Sequence, residues 1–117
     1  MPETGDAQPQ AQNPAATVLQ AELNQGMALH RQGKLADAEY CYGEVLQRQP
    51  DHFAALHLLG LIACQTRRTE RGVELIKRAI GLNPKVAEAH NNLGTALIDL
   101  KRHEEALASY DLSLIHI

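Results

Sequence analysis

Histidines and cysteines are the residues of this chain that could hold a metal ion or act in acid–base and nucleophilic chemistry. The histidines show no His-Glu-x-x-His or comparable metal-ligand spacing. Cys41 and Cys64 are far apart in the sequence, which argues against a zinc site. There is no Gly-rich phosphate loop and no nucleophile elbow, and the pairs Arg67–Arg68 and Glu104–Glu105 are typical of solvated surface. We therefore predict no catalytic residue, no metal and no cofactor. The six histidines are His30, His52, His57, His90, His103 and His116.

The composition indicates one small helical domain. The 117 residues are 44% hydrophobic and 3% aromatic, with no Trp, so Leu, Ile, Val and Ala must form the core. A formal net charge of −3 favours neither nucleic acid nor anionic membrane as a partner. We find no apolar run long enough for a membrane span and no secretory signal. With only two cysteines, read as reduced thiols, we expect a cytoplasmic protein without a disulfide framework.

Spacing of 34 residues organises the chain from about residue 19 onward. Residues 1–18 are rich in Pro, Gln and Ala and are predicted to form a disordered N-terminal tail. Beyond them, several independent markers recur in one register, which is the mark of a repeat protein. The markers at this spacing are the glycines Gly26, Gly60 and Gly94, the prolines Pro50 and Pro84, the small residues Ala38, Gly72 and Ala106, and the bulky residues Tyr42, Ile76 and Tyr110.

Each period reads as two helices joined by a short turn. Apolar residues recur at three- and four-residue steps on both sides of the turn. We predict turns at residues 32–34, 65–69 and 100–102, and each proline ends a period because it cannot continue a helix. A glycine inside a helix costs about 1 kcal/mol relative to alanine. Three at one position predict a close helix–helix approach, with Gly26, Gly60 and Gly94 facing Ala38, Gly72 and Ala106.

This pattern resembles the tetratricopeptide repeat family over residues 19–111. Leu59–Gly60, Gly72, Ile76 and Pro84 follow its signature, and Glu22, Leu56 and His90 replace its Trp. The resemblance implies an all-α fold, a right-handed alpha-alpha superhelix (solenoid) of three helical hairpins, with function as a protein-binding surface. The expected units are 19–52, 53–86 and an incomplete third unit at 87–111.

Within this family, residues 89–97 look like the superhelical arm of protein O-GlcNAc transferases, and residues 55–60 look like the opening repeats of bacterial proteins that carry this arm. The same family includes chaperone-binding members that clamp a C-terminal carboxylate with Asn and Lys or Arg. Here Leu58, Glu88 and Asn92 stand where such a clamp needs Asn, Lys and Arg, so we disfavour a clamp. The transferase arms hold a peptide backbone with a ladder of Asn, which Asn24 and Asn92 fit and Leu58 interrupts.

The final residues, 112–117, read LSLIHI. This string is the in-frame translation of a transposon-end adapter used in sequencing libraries. The alternative is a genuine helix that ends in this sequence. We interpret residues 112–117 as a non-native end, so that the native chain continues beyond Asp111 and is longer.

The first helix of each hairpin is expected to line the concave groove, where a partner peptide or protein binds. Helical spacing also nominates Gln20, His30, Ala54 and Gln65 as exposed positions near this groove. The residues predicted to bind are Asn24, Met27, Arg31, His57, Leu58, Leu61, Glu88, Asn91, Asn92, Thr95 and Asp99.

Three functions remain open from the sequence. The first is a protein-interaction module that is itself no enzyme. The second is the non-catalytic recognition arm of a protein glycosyltransferase whose catalytic domain lies outside this chain. The third is an assembly factor that self-associates through its last helix, about residues 103–117, whose apolar face has nothing beyond to cover it.

Overall fold

The computed structural model describes residues 14–115, with side chains from 15 to 105. Within this range the chain is helical, with short turns and no strand, which confirms the all-α prediction. The chain divides after Ala55 into two compact units. The helices are α1 Pro14–Arg31, α2 Leu35–Arg48, α3 Phe53–Gln65, α4 Thr69–Leu82 and α5 Ala87–Ile115.

Part of the predicted N-terminal tail is helical. Helix α1 begins at Pro14, so residues 14–18 are helical and not part of a tail. Proline is well suited to the first position of a helix, because its fixed φ is already helical and the N–H it lacks would have no partner there. Ala15 and Ala16 then continue the helix with high propensity. The rest of the predicted tail, residues 1–13, lies outside the described residues.

In the first unit, α1 and α2 form a hairpin, and the two helices approach each other closely at Gly26. A Cβ built on Gly26 would lie 2.6 Å from Cε1 of Tyr42 and 3.0 Å from Cβ of Cys41. The sequence predicted a close approach at Gly26, and the structure confirms it. The nearest side chains to Gly26 are those of Tyr42 and Cys41.

In the second unit, α3 and α4 approach each other with backbone against backbone. A Cβ on Gly60 would lie 3.1 Å from the carbonyl oxygen of Gly72 and 2.8 Å from Cγ1 of Ile76. A Cβ on Gly72 would lie 2.7 Å from the carbonyl oxygen of Gly60. Real Cβ atoms essentially never come within 3.0 Å of such an atom, and 3.1 Å is tighter than nine in ten real Cβ contacts. The predicted pairing of Gly60 with Gly72 is confirmed, and it explains why two glycines stand inside helices.

The turn of the first hairpin places Gly33 in the left-handed region, with φ of +80°. The N–H of Lys34 donates to the carbonyl of Leu29 at 2.9 Å, and the N–H of Gly33 donates to that of His30 at 3.0 Å. This hydrogen-bond pattern ends a helix through one left-handed residue, usually glycine.

The turn of the second hairpin repeats that geometry 34 residues later without a glycine. Arg67 takes the left-handed conformation, with φ of 69°, and the N–H of Arg68 donates to the carbonyl of Ala63 at 2.7 Å. Thr66 supports the turn, since its hydroxyl donates to the carbonyl of Ile62 at 2.8 Å and accepts from Nε of Arg68 at 3.0 Å.

The third predicted turn, residues 100–102, is wrong, because α5 runs without a break from Ala87 to Ile115 over 29 residues. The positions equivalent to Thr66 and Arg67 are Leu100 and Lys101. Leucine offers no hydroxyl of the kind with which Thr66 supports the second turn. Gly94 therefore faces no partner helix: among the described residues, a Cβ built there meets nothing within 4 Å.

Gly60→Ala tests the close approach of α3 and α4. We expect it to lower the free energy of unfolding by about 1–3 kcal/mol, because the added methyl group must push Gly72 and Ile76 away. Chemical denaturation followed by circular dichroism measures this loss.

Gly43→Ala is the matched control, because a Cβ on Gly43 in α2 meets nothing within 4 Å among the described residues. We expect it to stabilise the chain by up to about 1 kcal/mol through helix propensity. Equal effects of the two substitutions would contradict the assignment of Gly60 to a packing contact.

Candidate peptide-binding face

The predicted binding residues of the first unit lie on one face of α1. Asn24 is exposed, and its Oδ1 accepts a hydrogen bond from Nε2 of Gln20 at 3.0 Å. Met27 is half-buried and Arg31 is exposed. Their spacing of three and four residues places them on successive turns of the same side of the helix. The first unit therefore presents an amide, a thioether and a guanidinium in line.

His30 was predicted to be exposed beside these residues, and this was wrong. Its ring is half-buried and packs edge-on against Tyr42, with centroids 6.1 Å apart and planes at 61°. A hydrogen bond joins Nδ1 of His30 and the hydroxyl of Tyr42 at 3.3 Å. His30 thus holds α1 against α2. Helical spacing alone could not show this, because the long Tyr42 side chain reaches across from the other helix.

In the second unit, α3 and α5 carry the remaining predicted residues. On α3, Leu58 and Leu61 are half-buried. On α5, Asn92 is half-buried, and the other predicted positions are exposed. The exposed positions are Glu88, Asn91, Thr95 and Asp99.

His57 and Asn92 join α3 to α5. Nδ2 of Asn92 donates to Nε2 of His57 at 2.9 Å, so this nitrogen carries no proton. The His57 side chain was predicted to be exposed, but the residue is only 6% exposed. The structure corrects that prediction, because α5 covers the imidazole. His57 orients Asn92, a predicted binding residue, and is itself buried.

Burial lowers the pKa of His57, and the nearby carboxylate of Glu88 opposes this with a smaller upward effect. Both the desolvation and the hydrogen bond from Asn92 favour the neutral imidazole. At neutral pH, His57 is therefore an uncharged acceptor that fixes the amide of Asn92.

A histidine side chain also stabilises the first turn of α5. Nε2 of His90 lies 2.8 Å from the carbonyl oxygen of Pro84, to which it donates. This bond ties the first turn of α5 to the loop before it. On the following turn, the hydroxyl of Thr95 donates to the carbonyl oxygen of Asn91 at 3.1 Å. Hydrogen bonds therefore fix the segment of α5 that carries Asn91 and Asn92.

A cavity of about 870 Å³, which the sequence did not predict, lies between the α3–α4 turn and α5. It is open to solvent and lined mainly by charged side chains, including the Arg67–Arg68 pair that the sequence assigned to solvated surface. No sequence signal marked it, because it borders the part of α5 where a turn was predicted. Its lining residues are Cys64, Arg67, Arg68, Thr69, Glu70, Arg71, Asp99, Leu100, Arg102, His103 and Glu104.

Both cysteines are free thiols, Cys41 buried and Cys64 half-buried. Burial raises the pKa of each thiol, and the carboxylate of Asp99 adds to this at Cys64. Both therefore stay protonated and poorly nucleophilic at neutral pH. Over residues 15–105, no group of three His, Cys, Asp or Glu side chains could hold a metal ion. No helix in the described range is long and apolar enough to cross a bilayer.

Paired helices in a 34-residue register, closed at glycines and ended by prolines, define a tetratricopeptide-type helical repeat protein. Such domains generally bind proteins or peptides and are non-catalytic. Residues 31–111 match the family described as anaphase-promoting complex, cyclosome, subunit 3, and the chain belongs to this tetratricopeptide-like family.

Individual proteins are also similar to this chain in sequence or in structure. The human FK506-binding protein-like protein is 33% identical over 95 residues, which are 81% of this chain and 27% of that protein. A mutant of the Thermobaculum terrenum O-GlcNAc transferase superposes with a TM-score of 0.72 at 34% identity, over 74% of this chain and 16% of that one. MamA has a TM-score of 0.68 at 22% identity, over 80% and 54%, and shows the fold alone. The chain spans less than two thirds of each of these proteins. The neighbours confirm the predicted fold class.

The neutral state of His57 predicts a pH-dependent stability. The folded chain holds the pKa of His57 below its ordinary value of 6.5, so the unfolded chain takes up this proton first as pH falls. The contribution is complete above pH 6.5 and is lost as pH drops toward the folded-state pKa. We expect the urea midpoint to fall between about pH 7.5 and about pH 5, and to fall less in His57→Gln.

His103→Gln, at an exposed position of α5, is the control and should keep the pH dependence of the unchanged chain. If His57→Gln and the unchanged chain lost the same stability over this range, His57 would not be the responsible group.

Proposed function

We propose that this chain is a protein-interaction module whose first helices bind a partner peptide. The observation that carries the proposal is the hydrogen bond between His57 and Asn92, which holds a side-chain amide in a fixed direction on an otherwise accessible helix face. A fixed amide costs less entropy to use in binding than a mobile one.

The side-chain amide of Asn92 can form further hydrogen bonds after it bonds to His57. An Asn amide has two N–H donors and an acceptor oxygen. One N–H is given to His57, and among the described residues Oδ1 accepts no hydrogen bond. The remaining N–H and Oδ1 suit the alternating acceptors and donors of a peptide backbone. Asn24 stands 68 residues earlier, two repeat lengths away, and presents a second amide on α1.

Leu58 occupies the equivalent position between these two amides. Leu58 and Leu61 are half-buried, so each retains apolar surface on α3. Burying that surface under a ligand would add hydrophobic free energy that the amides cannot supply. A peptide with an apolar side chain at this point therefore fits better than a wholly polar one.

The charged side chains of α5 indicate which kind of peptide would bind. Glu88 and Asp99 are both exposed on this helix. Carboxylates repel a C-terminal carboxylate or an acidic segment, and attract Lys and Arg. We therefore favour an internal peptide segment with an apolar anchor and basic flanks.

Selection of 12-residue peptides from a random display library supplies the probe for a test. We expect the Asn24→Ala, Asn92→Ala double variant to bind a selected peptide about tenfold more weakly by calorimetry, because two amide contacts of about 0.5–1.5 kcal/mol are lost. Its helicity should remain within a few per cent of the unchanged chain.

Lys77→Ala is the control, since Lys77 is exposed on α4, away from the first helices. It should leave the affinity unchanged. Unchanged affinity in the double variant, or equal loss in Lys77→Ala, would show that peptides bind elsewhere.

A second candidate function is the recognition arm of an O-GlcNAc transferase-like protein. It is favoured by the 34% identity and TM-score of 0.72 to the Thermobaculum terrenum enzyme. The proposed groove would then present acceptor peptides to a catalytic domain carried by a longer native chain.

Reading the gene from source DNA beyond the codon for Asp111, by a method that adds no adapter, tests this candidate. We expect further repeats followed by a transferase domain. A stop codon directly after residue 117 would refute the candidate and leave the interaction module as the function.

A further inference from the structure

Three polar side chains lie together where α5 begins beside α3. Glu88 and Asn92 are four residues apart on α5, so they lie about one turn apart on the same side of the helix. Nδ2 of Asn92 lies 2.9 Å from Nε2 of His57, and the carboxylate of Glu88 is near enough to oppose the effect of burial on the pKa of the same imidazole. All three residues belong to the second compact unit. They therefore form one local group.

His57 decides which way the amide of Asn92 faces. An amide nitrogen donates hydrogen bonds and does not accept them, so Nε2 of His57 is the acceptor in this contact. Oδ1 and Nδ2 leave the same carbon in different directions. Turning Nδ2 toward the imidazole therefore turns Oδ1 away from it. Among the described residues, Oδ1 accepts no hydrogen bond, so Asn92 presents an acceptor to a ligand.

Glu88 adds a second acceptor, and this one is charged. The residue is exposed, and within the described range no Lys, Arg or His side chain pairs with its carboxylate. His57 supplies no positive charge at neutral pH, because burial lowers its pKa. One turn of α5 therefore presents oxygen acceptors from two side chains and one negative charge. The ligand group that matches them is a cation with several N–H donors.

We infer that Oδ1 of Asn92 and the carboxylate of Glu88 together bind an arginine side chain of the partner peptide, with His57 as the positioning residue that keeps Oδ1 directed toward it. This inference rests on the proposed function and adds the residue type that the peptide carries. A planar guanidinium holds its N–H donors in a fixed fork and can reach two neighbouring acceptors, whereas the ammonium of lysine is a point charge. The second N–H of Asn92 remains for a carbonyl of the peptide backbone.

Protonation of His57 reverses this arrangement. A protonated imidazole carries a proton on Nε2, which would then face an N–H of Asn92, donor against donor. The amide must turn over to accept from Nε2, so its NH2 group replaces Oδ1 on the side of the ligand. The positive charge of the imidazolium also lies close to Glu88. Both changes oppose a bound cation, so acid releases the arginine.

Glu88 is the charged side chain that acts on His57. Helix α3 carries no Lys, Arg, Asp or Glu. On α5, the ring of His90 is turned to the carbonyl oxygen of Pro84. The remaining charged residues of α4 and of the first four turns of α5 are exposed, so solvent and salt screen them. The pH dependence within the second unit is therefore that of His57 and its neighbour Glu88. The exposed charged residues are Glu70, Arg71, Glu74, Lys77, Arg78, Asp99 and Lys101.

An NMR titration of the imidazole nitrogens tests the positioning contact without any peptide. We expect Nε2 of His57 to carry no proton at about pH 7.5. Asn92→Asp should raise the pKa of His57 by about one unit or more, because a carboxylate in that place accepts only from the protonated ring. Asn91→Asp is the matched control, since it adds the same charge at the neighbouring exposed position, and it should raise the pKa less. A proton on Nε2 at about pH 7.5, or equal effects of the two variants, would overturn the inference.

The arginine is tested with a peptide of about 12 residues from the random display library, selected at about pH 7.5. We expect the selected peptides to share an arginine. Citrulline, which has nearly the same shape without the charge, should weaken binding about tenfold by calorimetry. In Glu88→Gln this replacement should cost much less, because the charged partner is already gone. Glu74→Gln, at an exposed position of α4, should keep the tenfold loss. Equal losses in Glu88→Gln and in the unchanged chain would contradict the assignment.

The pH profile of binding distinguishes positioning from a merely structural role of His57. Affinity for the arginine peptide should fall about tenfold between about pH 7.5 and about one unit below the measured pKa of His57. His57→Gln should keep the affinity at about pH 7.5, because the glutamine oxygen accepts from Nδ2 at any pH, and its fall in acid should be much smaller. An equal fall in both chains would show that His57 does not control the amide.

The double variant Asn24→Ala, Asn92→Ala separates the failure of this inference from that of the proposed function. If selected peptides bound this variant as tightly as the unchanged chain, the proposed function itself would fail. If the variant lost affinity but citrulline caused no loss, peptide binding at this face would stand and the arginine assignment would be wrong.

Discussion

The contact between the backbones of Gly60 and Gly72 is the constraint on which the second unit depends. A built Cβ would lie 2.7 Å from the opposing carbonyl at Gly72 and 3.1 Å at Gly60, so a side chain at either position would push the two helices apart. The contact fixes α3 against α4, and α4 in turn packs on α5. With α3 and α5 in this arrangement, Nδ2 of Asn92 lies 2.9 Å from Nε2 of His57. An amide on the proposed binding face is thus positioned by glycines that no ligand touches.

Much of the fold could be predicted from the sequence because the spacing of small and helix-ending residues reports helix contacts directly. The positions of Gly26, Gly60 and the two prolines predicted the hairpins and their 34-residue register. The third turn failed for a local reason. Repeat spacing shows where a turn can occur but not whether it forms. Leu100 lacks the hydroxyl with which Thr66 supports the second turn, and α5 continues through this position.

The binding face was predicted less well than the fold, and the errors have one cause. Helical spacing gives the direction of a side chain but not what a neighbouring helix places over it. His57 was assigned to the exposed face, yet α5 buries it, and His30 was assigned likewise, yet Tyr42 holds it. A usable signal was present: His57 and Asn92 are polar residues 35 positions apart, about one repeat, where adjacent first helices meet.

Each of the two hairpin turns contains an amide proton whose exchange with solvent reports the opening of that turn. The amide protons of Lys34 and Arg68 occupy equivalent places, each bonded to a carbonyl five residues earlier in the same kind of turn. Such a proton exchanges with solvent only when its turn opens. Repeat proteins tend to unfold unit by unit. The exchange rates of these two protons therefore measure the opening of the first and second hairpins separately, and show whether a turn built on arginine opens more readily than one built on glycine.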